Sequence, residues 1–378
     1  MIKKNYIYEE NKWNEPLNDS LDSDNTLVIC FGASDIQTIS EGLADVKNSF
    51  KKSIIIGCST AGEIFQDELY ENSLSIIVLK FEKTEIRLKN LEIKSANESL
   101  QIAKDIAQDL KDDELKAIFI LSDGLNINGS QLTKGFNETL SKDVIVTGGL
   151  AGDDARFEKT WVLVDNEAKS NYITAVGFYG NNLIYKSSSY GGWTKFGINR
   201  MVTQSSGNIL YTLDDKPALE VYKTYLGENA KNLPSSGLLF PLMIKEEGYS
   251  EAKVRTILAI NEEEQSITFA GDIPNNSEVM FMRASFEDLV NGAAKSSKML
   301  NKEEFDLDNS VNIAISCVGR KLVLGQKTED EIEAVLNNLS DKTSQVGFYS
   351  YGEISPLGTN ECDLHNQTMT LTLIGEKK

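Results

Sequence analysis

Ile54-Ile55-Ile56-Gly57-Cys58-Ser59-Thr60-Ala61-Gly62-Glu63-Ile64 is the stretch that decides the fold, because its pattern returns twice. Near the C-terminus the chain reads Val346-Gly347-Phe348-Tyr349-Ser350-Tyr351-Gly352-Glu353-Ile354. In the middle it reads Val146-Thr147-Gly148-Gly149-Leu150-Ala151-Gly152-Asp153. Each copy is an apolar run, then small or hydroxyl residues, then Gly followed by an acid. A local pattern met three times points to a repeated building block. It also predicts that corresponding loops line shared pockets.

The surroundings of the copies repeat as well. Leu27-Val28-Ile29-Cys30-Phe31 reads as a strand before the first copy, with a helix-like segment from Ile36 to Phe50 between them. Ala117 to Leu121 and Gln131 to Leu140 precede the middle copy in the same order. Ile313 to Val318 and Glu329 to Leu339 precede the last. Further strand-like runs come after each copy: Leu74 to Leu79, Trp161 to Val164, and Met369 to Ile374. The strands are β-branched and the helices carry apolar residues at three- and four-residue spacing. The expected class is α/β, or α+β with mixed sheets. It comprises two domains built from repeated strand-helix-strand-loop-strand units with internal pseudo-symmetry.

A chain of 378 residues exceeds what one ordinary core serves, which favours two domains. The boundary falls at Lys216-Pro217-Ala218, where Pro opens a helix over Leu219 to Leu226. Residues 1–24 read as a polar lead-in, 25–215 as the N-terminal domain and 216–378 as the C-terminal domain. Ser187 to Thr203, rich in Gly, Ser and aromatics, reads as a loop laid on a sheet. Ala252 to Ile260, Ser266 to Ala270 and Val279 to Ala284 read as strands, and Phe286 to Lys298 as a helix.

The net charge is -19. An acidic chain is a poor match for nucleic acid, whose phosphates demand a basic footprint, and it lacks a polybasic segment for anionic lipid. No apolar run has the length of a membrane span, and no signal-peptide core is visible. Cys30, Cys58, Cys317 and Cys362 form no CxxC pair and no metal-ligand spacing, which fits free thiols in a reducing cytoplasm.

Gly57 and Gly62 have the spacing of a phosphate loop, but Glu63 stands where such a loop needs Lys. Asp153 and Glu353 repeat the acid, so a nucleotide triphosphate would meet repulsion. Backbone N–H groups beside a carboxylate suit a zwitterion, with the acid holding an ammonium and the N–H groups a carboxylate. The alternative is that Glu63, Asp153 and Glu353 close turns by accepting backbone N–H bonds. Cys58 or Ser59 as a nucleophile would need a base, and His365 is the only histidine. No complete catalytic constellation is visible.

The motifs resemble those of the FIST proteins, a domain pair of F-box and intracellular signal-transduction proteins. Gly57 to Ile64, Gly148 to Asp153, and Gly191 to Gly197 continuing to Val202-Thr203 are similar to the N-terminal FIST domain. Leu213 to Tyr222 is similar to the junction. Phe269-Ala270-Gly271-Asp272-Ile273-Pro274, Gly347 to Ile354 and His365-Asn366-Gln367-Thr368 are similar to the C-terminal domain. The resemblance implies a sensory module that is not an enzyme and that binds an amino acid or related metabolite. It would signal through a separate protein such as a histidine kinase, cyclase or chemoreceptor, with no nucleic acid or membrane as partner. The expected ligand-binding residues are Gly57, Cys58, Ser59, Thr60, Gly62, Glu63, Gly149, Gly152, Asp153, Trp193, Tyr349, Ser350, Tyr351, Glu353, His365 and Asn366. No metal site is expected. Haem on His365, a Cys/Ser-His hydrolase or transferase, and a ligand-free interaction scaffold stay open as alternatives.

Overall fold

The computed structural model describes residues 1–246, 251–300, 309–340, 342–358 and 361–377. Three mixed sheets are assembled to one plan. At the centre of each is a parallel pair whose strands are joined through a helix. Thr26–Gly32 pairs with Ile54–Ser59, Leu115–Ser122 with Ile145–Leu150, and Val311–Cys317 with Ser344–Ser350. An antiparallel strand flanks each pair: Leu74–Lys80, Tyr172–Tyr179 and Met369–Glu376. Beyond it lies a further antiparallel strand: Ile2–Glu9, Glu85–Glu92 and Leu183–Tyr190.

The hairpin after each Gly-acid motif leaves the sheet of its own repeat. The hairpin Glu63–Phe65 with Glu68–Tyr70 joins the third sheet beside Ser344–Ser350. The hairpin Val162–Val164 with Glu167–Lys169 joins the first sheet beside Ile54–Ser59. The hairpin Gly352–Pro356 with Cys362–His365 joins the second sheet beside Ile145–Leu150. Each sheet is thus completed by a hairpin from another repeat. Strands from both sides of the 215/216 boundary share the second and third sheets.

The central strands are buried on both faces, so they read as unbroken apolar runs rather than alternating ones. In Thr26–Gly32, Leu27, Ile29 and Phe31 enter a central core with Phe119, Phe348 and Ile313. Val28 and Cys30 enter an outer core with Val46 of the helix Ser40–Ser49. Phe31 stacks on Phe348 at 4.8 Å, joining the first and third sheets. A second outer core covers the remaining sheets with Ala103, Ile106, Leu132, Phe136, Ile332 and Val335. The glycine of each motif strand has a steric cause. A Cβ on Gly57 would lie 2.5 Å from the Cys30 carbonyl, on Gly148 1.8 Å from that of Ile120, and on Gly347 1.8 Å from that of Ala314.

A fourth, eight-stranded antiparallel sheet is set into the chain between Thr194 and Arg283. It folds over the helix Ala218–Leu226 with its own core of Val202, Leu210, Tyr222, Phe269 and Phe281. Among the described residues no helix is long and apolar enough to cross a membrane.

Several local expectations are corrected. Residues 1–24 are not a lead-in: Ile2–Glu9 is a strand of the first sheet, and Tyr6 and Tyr8 pack on Trp13. Its buried stretch is only three residues long, too short to stand out among charged neighbours. Val162–Val164 is not the counterpart of Leu74–Lys80; Tyr172–Tyr179 is. Ser187 to Thr203 is not a loop but the strands Leu183–Tyr190 and Thr194–Ser206, broken at Gly191-Gly192, where Gly192 takes φ 81°. The run from Ala252 to Ile260 is split at Thr256 into Lys253–Arg255 and Ile257–Asn261.

Candidate ligand-binding site

The three Gly-acid loops meet and are tied in a closed ring by backbone hydrogen bonds. Ala61 donates to the Tyr349 carbonyl at 2.8 Å, Tyr351 to that of Leu150 at 3.2 Å, and Gly152 to that of Ser59 at 2.9 Å. In each case the donor lies two residues beyond the acceptor of its own loop.

The loop acids are spent inside the fold. Glu63 accepts from the Thr60 hydroxyl, and from the Ser73 N–H at 3.1 Å and hydroxyl at 2.7 Å. Glu353 accepts from the Ser350 hydroxyl at 3.0 Å, and from the Thr368 N–H at 3.2 Å and hydroxyl at 2.8 Å. Ser73 and Thr368 immediately precede the flanking strands Leu74–Lys80 and Met369–Glu376. In the middle unit that position is Asn171, and its N–H is held at 3.0 Å by Asp123. Asp153 instead gathers the N–H groups of Phe157, Glu158 and Lys159 at 2.8–2.9 Å and accepts from the Tyr351 hydroxyl. Burial pushes Glu63 up to about 7 and Glu353 up to about 8.

Above the ring, against the fourth sheet, opens an apolar cleft of about 580 Å³. The loops contribute Tyr351, Asn366, Ala155 and Phe157, and the short helix Val318–Leu324 contributes Val318, Gly319, Leu322 and Val323. The inserted segment contributes Pro234, Leu238, Leu239, Thr256, Ile257, Leu258 and Ala270. Phe157 stacks on Tyr351 at 4.3 Å, and this pair also faces an adjoining chamber of about 290 Å³ with Asn128, Asn208 and Gly271. Two residues of the lining, Thr256 and Asn366, each have a buried side-chain oxygen without a partner among the described residues, Oγ1 and Oδ1, and neither oxygen is accessible from the cleft. A smaller polar hollow of about 90 Å³ is lined by Thr60, Gly62, Glu63, Asp154, Arg156 and Lys321. There the Lys321 ammonium is already engaged by the Ala61 carbonyl at 2.8 Å and by Glu71 at 2.6 Å.

The helix Val318–Leu324 has a second, buried side. Arg320 is fully buried and pairs with Glu331 at 2.7 Å. Its other N–H groups reach the carbonyls of Gly191 at 2.5 Å and Leu289 at 2.8 Å. Glu331 also accepts from Ser316 at 2.9 Å and Tyr349 at 2.7 Å. The wall of the cleft is therefore bolted to the Gly191-Gly192 break and to the helix Phe286–Leu300.

Of the residues expected from sequence, Tyr351 and Asn366 line the cleft, and Thr60, Gly62 and Glu63 line the polar hollow. The others serve the frame. Gly57 and Gly149 fill tight strand contacts, and Gly152 packs on Ala61. Cys58 is buried, which holds its thiol well above the usual range. Ser59 accepts from the Trp161 N–H at 3.0 Å, and Trp193 donates to the Gln367 carbonyl at 2.9 Å. Asp153 and Glu353 are taken up by the loop bonds, Ser350 by Glu353 and Tyr349 by Glu331. His365 is buried with Nε2 at 3.0 Å from the Ser355 carbonyl, and burial lowers its pKa. It lines neither the cleft, the chamber nor the hollow, so its surroundings do not fit an axial haem ligand. Among the described residues no hydrogen bond joins His365 to Cys58 or Ser59, and no cluster of three His, Cys, Asp or Glu is arranged to hold a metal. All four cysteines are free. Phe157, Thr256 and the Val318–Leu324 helix were not legible as site elements. The one available signal was an apolar pair, Leu322-Val323, just after the strand ending at Cys317.

The FIST N domain model matches residues 26–216 and the FIST C domain model residues 218–356. The chain belongs to the FIST family. FIST domains are sensory domains associated with signalling. An uncharacterised protein of Methanocaldococcus jannaschii is 24% identical over 334 residues, 79% of this FIST chain. The FIST chain spans only 64% of that relative's length. Among solved structures, a cyanuric acid hydrolase from A. caulinodans aligns over 78% of this chain and 100% of its own at 9% identity. Its TM-score is 0.19, too slight a likeness to bear on this fold.

Proposed function

We propose that this FIST protein is a cytoplasmic sensory module, not an enzyme, that binds a small metabolite of the amino-acid class in the apolar cleft. Occupancy is passed to a separate signalling protein, such as a histidine kinase, cyclase or chemoreceptor. The observation that carries the reading is the cleft itself, a largely apolar cavity whose lining residues come from the loops, the helix Val318–Leu324 and the inserted segment. Its volume of about 580 Å³ lies within the range usual for small-molecule sites. The supporting route for a signal is the helix Val318–Leu324. A ligand touching Leu322 and Val323 acts on the same rigid element that carries Arg320 into its buried network. Binding then biases the position of that helix against the Gly191-Gly192 break.

A thermal-shift panel of amino acids and their derivatives tests this. A ligand of the native state stabilises it by mass action, by about 2.7 kcal/mol at a hundredfold excess over Kd. The expected result is a concentration-dependent rise in Tm that Leu322→Asp abolishes. A panel with no rise would support a scaffold without a ligand.

A further inference from the structure

The inserted segment meets the second sheet along a polar groove of about 640 Å³, separate from the cleft and independent of the reading given to it. The helix Gly129–Thr139 and the strand Cys362–His365 contribute to one side, and the strand Lys253–Arg255 to the other. Arg255 and Thr256 are consecutive, yet the first lines the groove and the second the cleft.

Arg255 is 2% exposed, so its charge lies inside the protein. A guanidinium carries five N–H donors. Nε donates to the Asp272 carbonyl at 3.3 Å, and Nη1 to the carbonyls of Val254 at 3.2 Å and Leu364 at 2.9 Å. The N–H groups of Nη2 are left over. Its ion-pair neighbour among the described residues, Asp363 Oδ1, lies 3.9 Å away, beyond hydrogen-bond reach. Nη2 is also open to the groove: the sealed atoms that lack a partner include Thr256 Oγ1 but not this nitrogen.

The acids around it are committed elsewhere. Asp363 accepts from the Lys253 ammonium at 2.6 Å and from the Leu364 N–H at 2.8 Å. Glu246 takes the same ammonium at 2.8 Å. The carboxylate oxygens of Asp272 are held by the side-chain amides of Asn128 at 2.9 Å and Gln131 at 2.8 Å. Arg255 is therefore a buried cation with carbonyl partners but no hydrogen-bonded counter-ion. Buried charges are normally paired, because taking one out of water is costly. Burial lowers the Arg255 pKa even though Asp363 and Asp272 oppose it, so the fold leaves that cost uncompensated. The missing partner is an anionic oxygen. Glu138, Glu251 and Glu361 also line the groove and repel a second negative charge, which suits a singly charged anion. A carboxylate meets both conditions.

We propose that the groove binds a small organic monocarboxylate, whose carboxylate accepts from the free N–H groups of Arg255 Nη2.

Calorimetry and thermal shift with propionate, propionamide and inorganic phosphate test it, together with the side-chain NMR signal of Arg255 Nη2 in the unaltered protein. Propionate is expected to raise Tm, to saturate and to move that signal. Propionamide has the same shape without the charge, and it binds about tenfold more weakly or worse, as does phosphate. Arg255→Lys weakens propionate by about tenfold, because the fork of N–H donors is lost. Leu322→Asp leaves propionate binding intact, which separates the groove from the cleft. If Arg255→Lys does not fold, the NMR signal of the unaltered protein decides. Propionate that leaves the Arg255 signal unmoved, with or without a rise in Tm, overturns the inference. So does propionamide or phosphate binding as tightly as propionate, or a folded Arg255→Lys protein that binds propionate unchanged.

Discussion

The backbone N–H of Ala61 donates to the carbonyl of Tyr349 at 2.8 Å, so a loop near the start of the chain is stitched to one near its end. The bond is returned one step along, where the Tyr349 N–H donates to the Gly62 carbonyl at 2.9 Å. With the matching contacts of Gly152 on Ser59 and Tyr351 on Leu150, the three repeats close on one another. The cleft stands on this ring: Tyr351 belongs to both. Any change that loosens the ring therefore reaches the site.

Glu63 and Glu353 make stability depend on pH. Both ionise near 4.5 in an unfolded chain but are pushed up to about 7 and about 8 by burial. The folded state then binds more protons over that interval, so their stabilising contribution is full below 4.5 and is lost as pH rises through 7 and 8. Lys321 and Arg320 oppose the shift without cancelling it. Tm is expected to fall from about pH 5 to 8, with each carboxyl contributing up to about 1.4 kcal/mol per pH unit. The Glu63→Gln, Glu353→Gln double variant should show a flatter profile in a calorimetric pH series. An unaltered slope would count against this account.

Arg320→Met should be strongly destabilising. It leaves Glu331 buried with only Ser316 and Tyr349 as partners, and breaking a buried pair from one side costs about 3–5 kcal/mol. Adding Glu331→Leu should recover part of the loss in urea denaturation, because no lone charge then remains. If the double variant is worse than the single by the full cost of Glu331→Leu alone, the two residues are not coupled.

Gly347→Ala and Gly148→Ala test the close approach of the motif strands. Each added Cβ meets a backbone carbonyl oxygen at 1.8 Å, and Gly148 also takes φ 149°. Neither carbonyl can move without displacing its strand, so the loss should be about 3 kcal/mol or more. Soluble, cooperative unfolding at the parental denaturant midpoint would refute the packing argument.

Leu322→Asp separates site from frame. The side chain is 44% exposed on the cleft wall, so stability should change by no more than about 0.5 kcal/mol. Ligand-induced stabilisation in the metabolite panel should disappear. Equal binding by the folded variant would move the site away from the Val318–Leu324 helix.

The sequence by itself determined the repeated unit. Apolar β-branched runs buried on both faces, helices with apolar stripes and glycines before an acid are local signals, written in short windows around Gly57, Gly148 and Gly347. It could not say which sheet each hairpin joins, because pairing of Glu63–Phe65 with Ser344–Ser350 is a long-range choice with no local mark. For the same reason nothing local marks Val162–Val164 as a partner of Ile54–Ser59, or Asp123 as doing for Asn171 what Glu63 does for Ser73. The acids themselves were legible, but their role was not. A carboxylate after glycine serves a ligand or a turn according to what surrounds it, and here Thr60, Ser73, Ser350 and Thr368 claim the oxygens. Only the tertiary structure decided the cleft. Its wall is drawn from Tyr351, Leu322 and Thr256, residues from three separate segments that no periodicity connects, and burial without a partner is a property of their assembly.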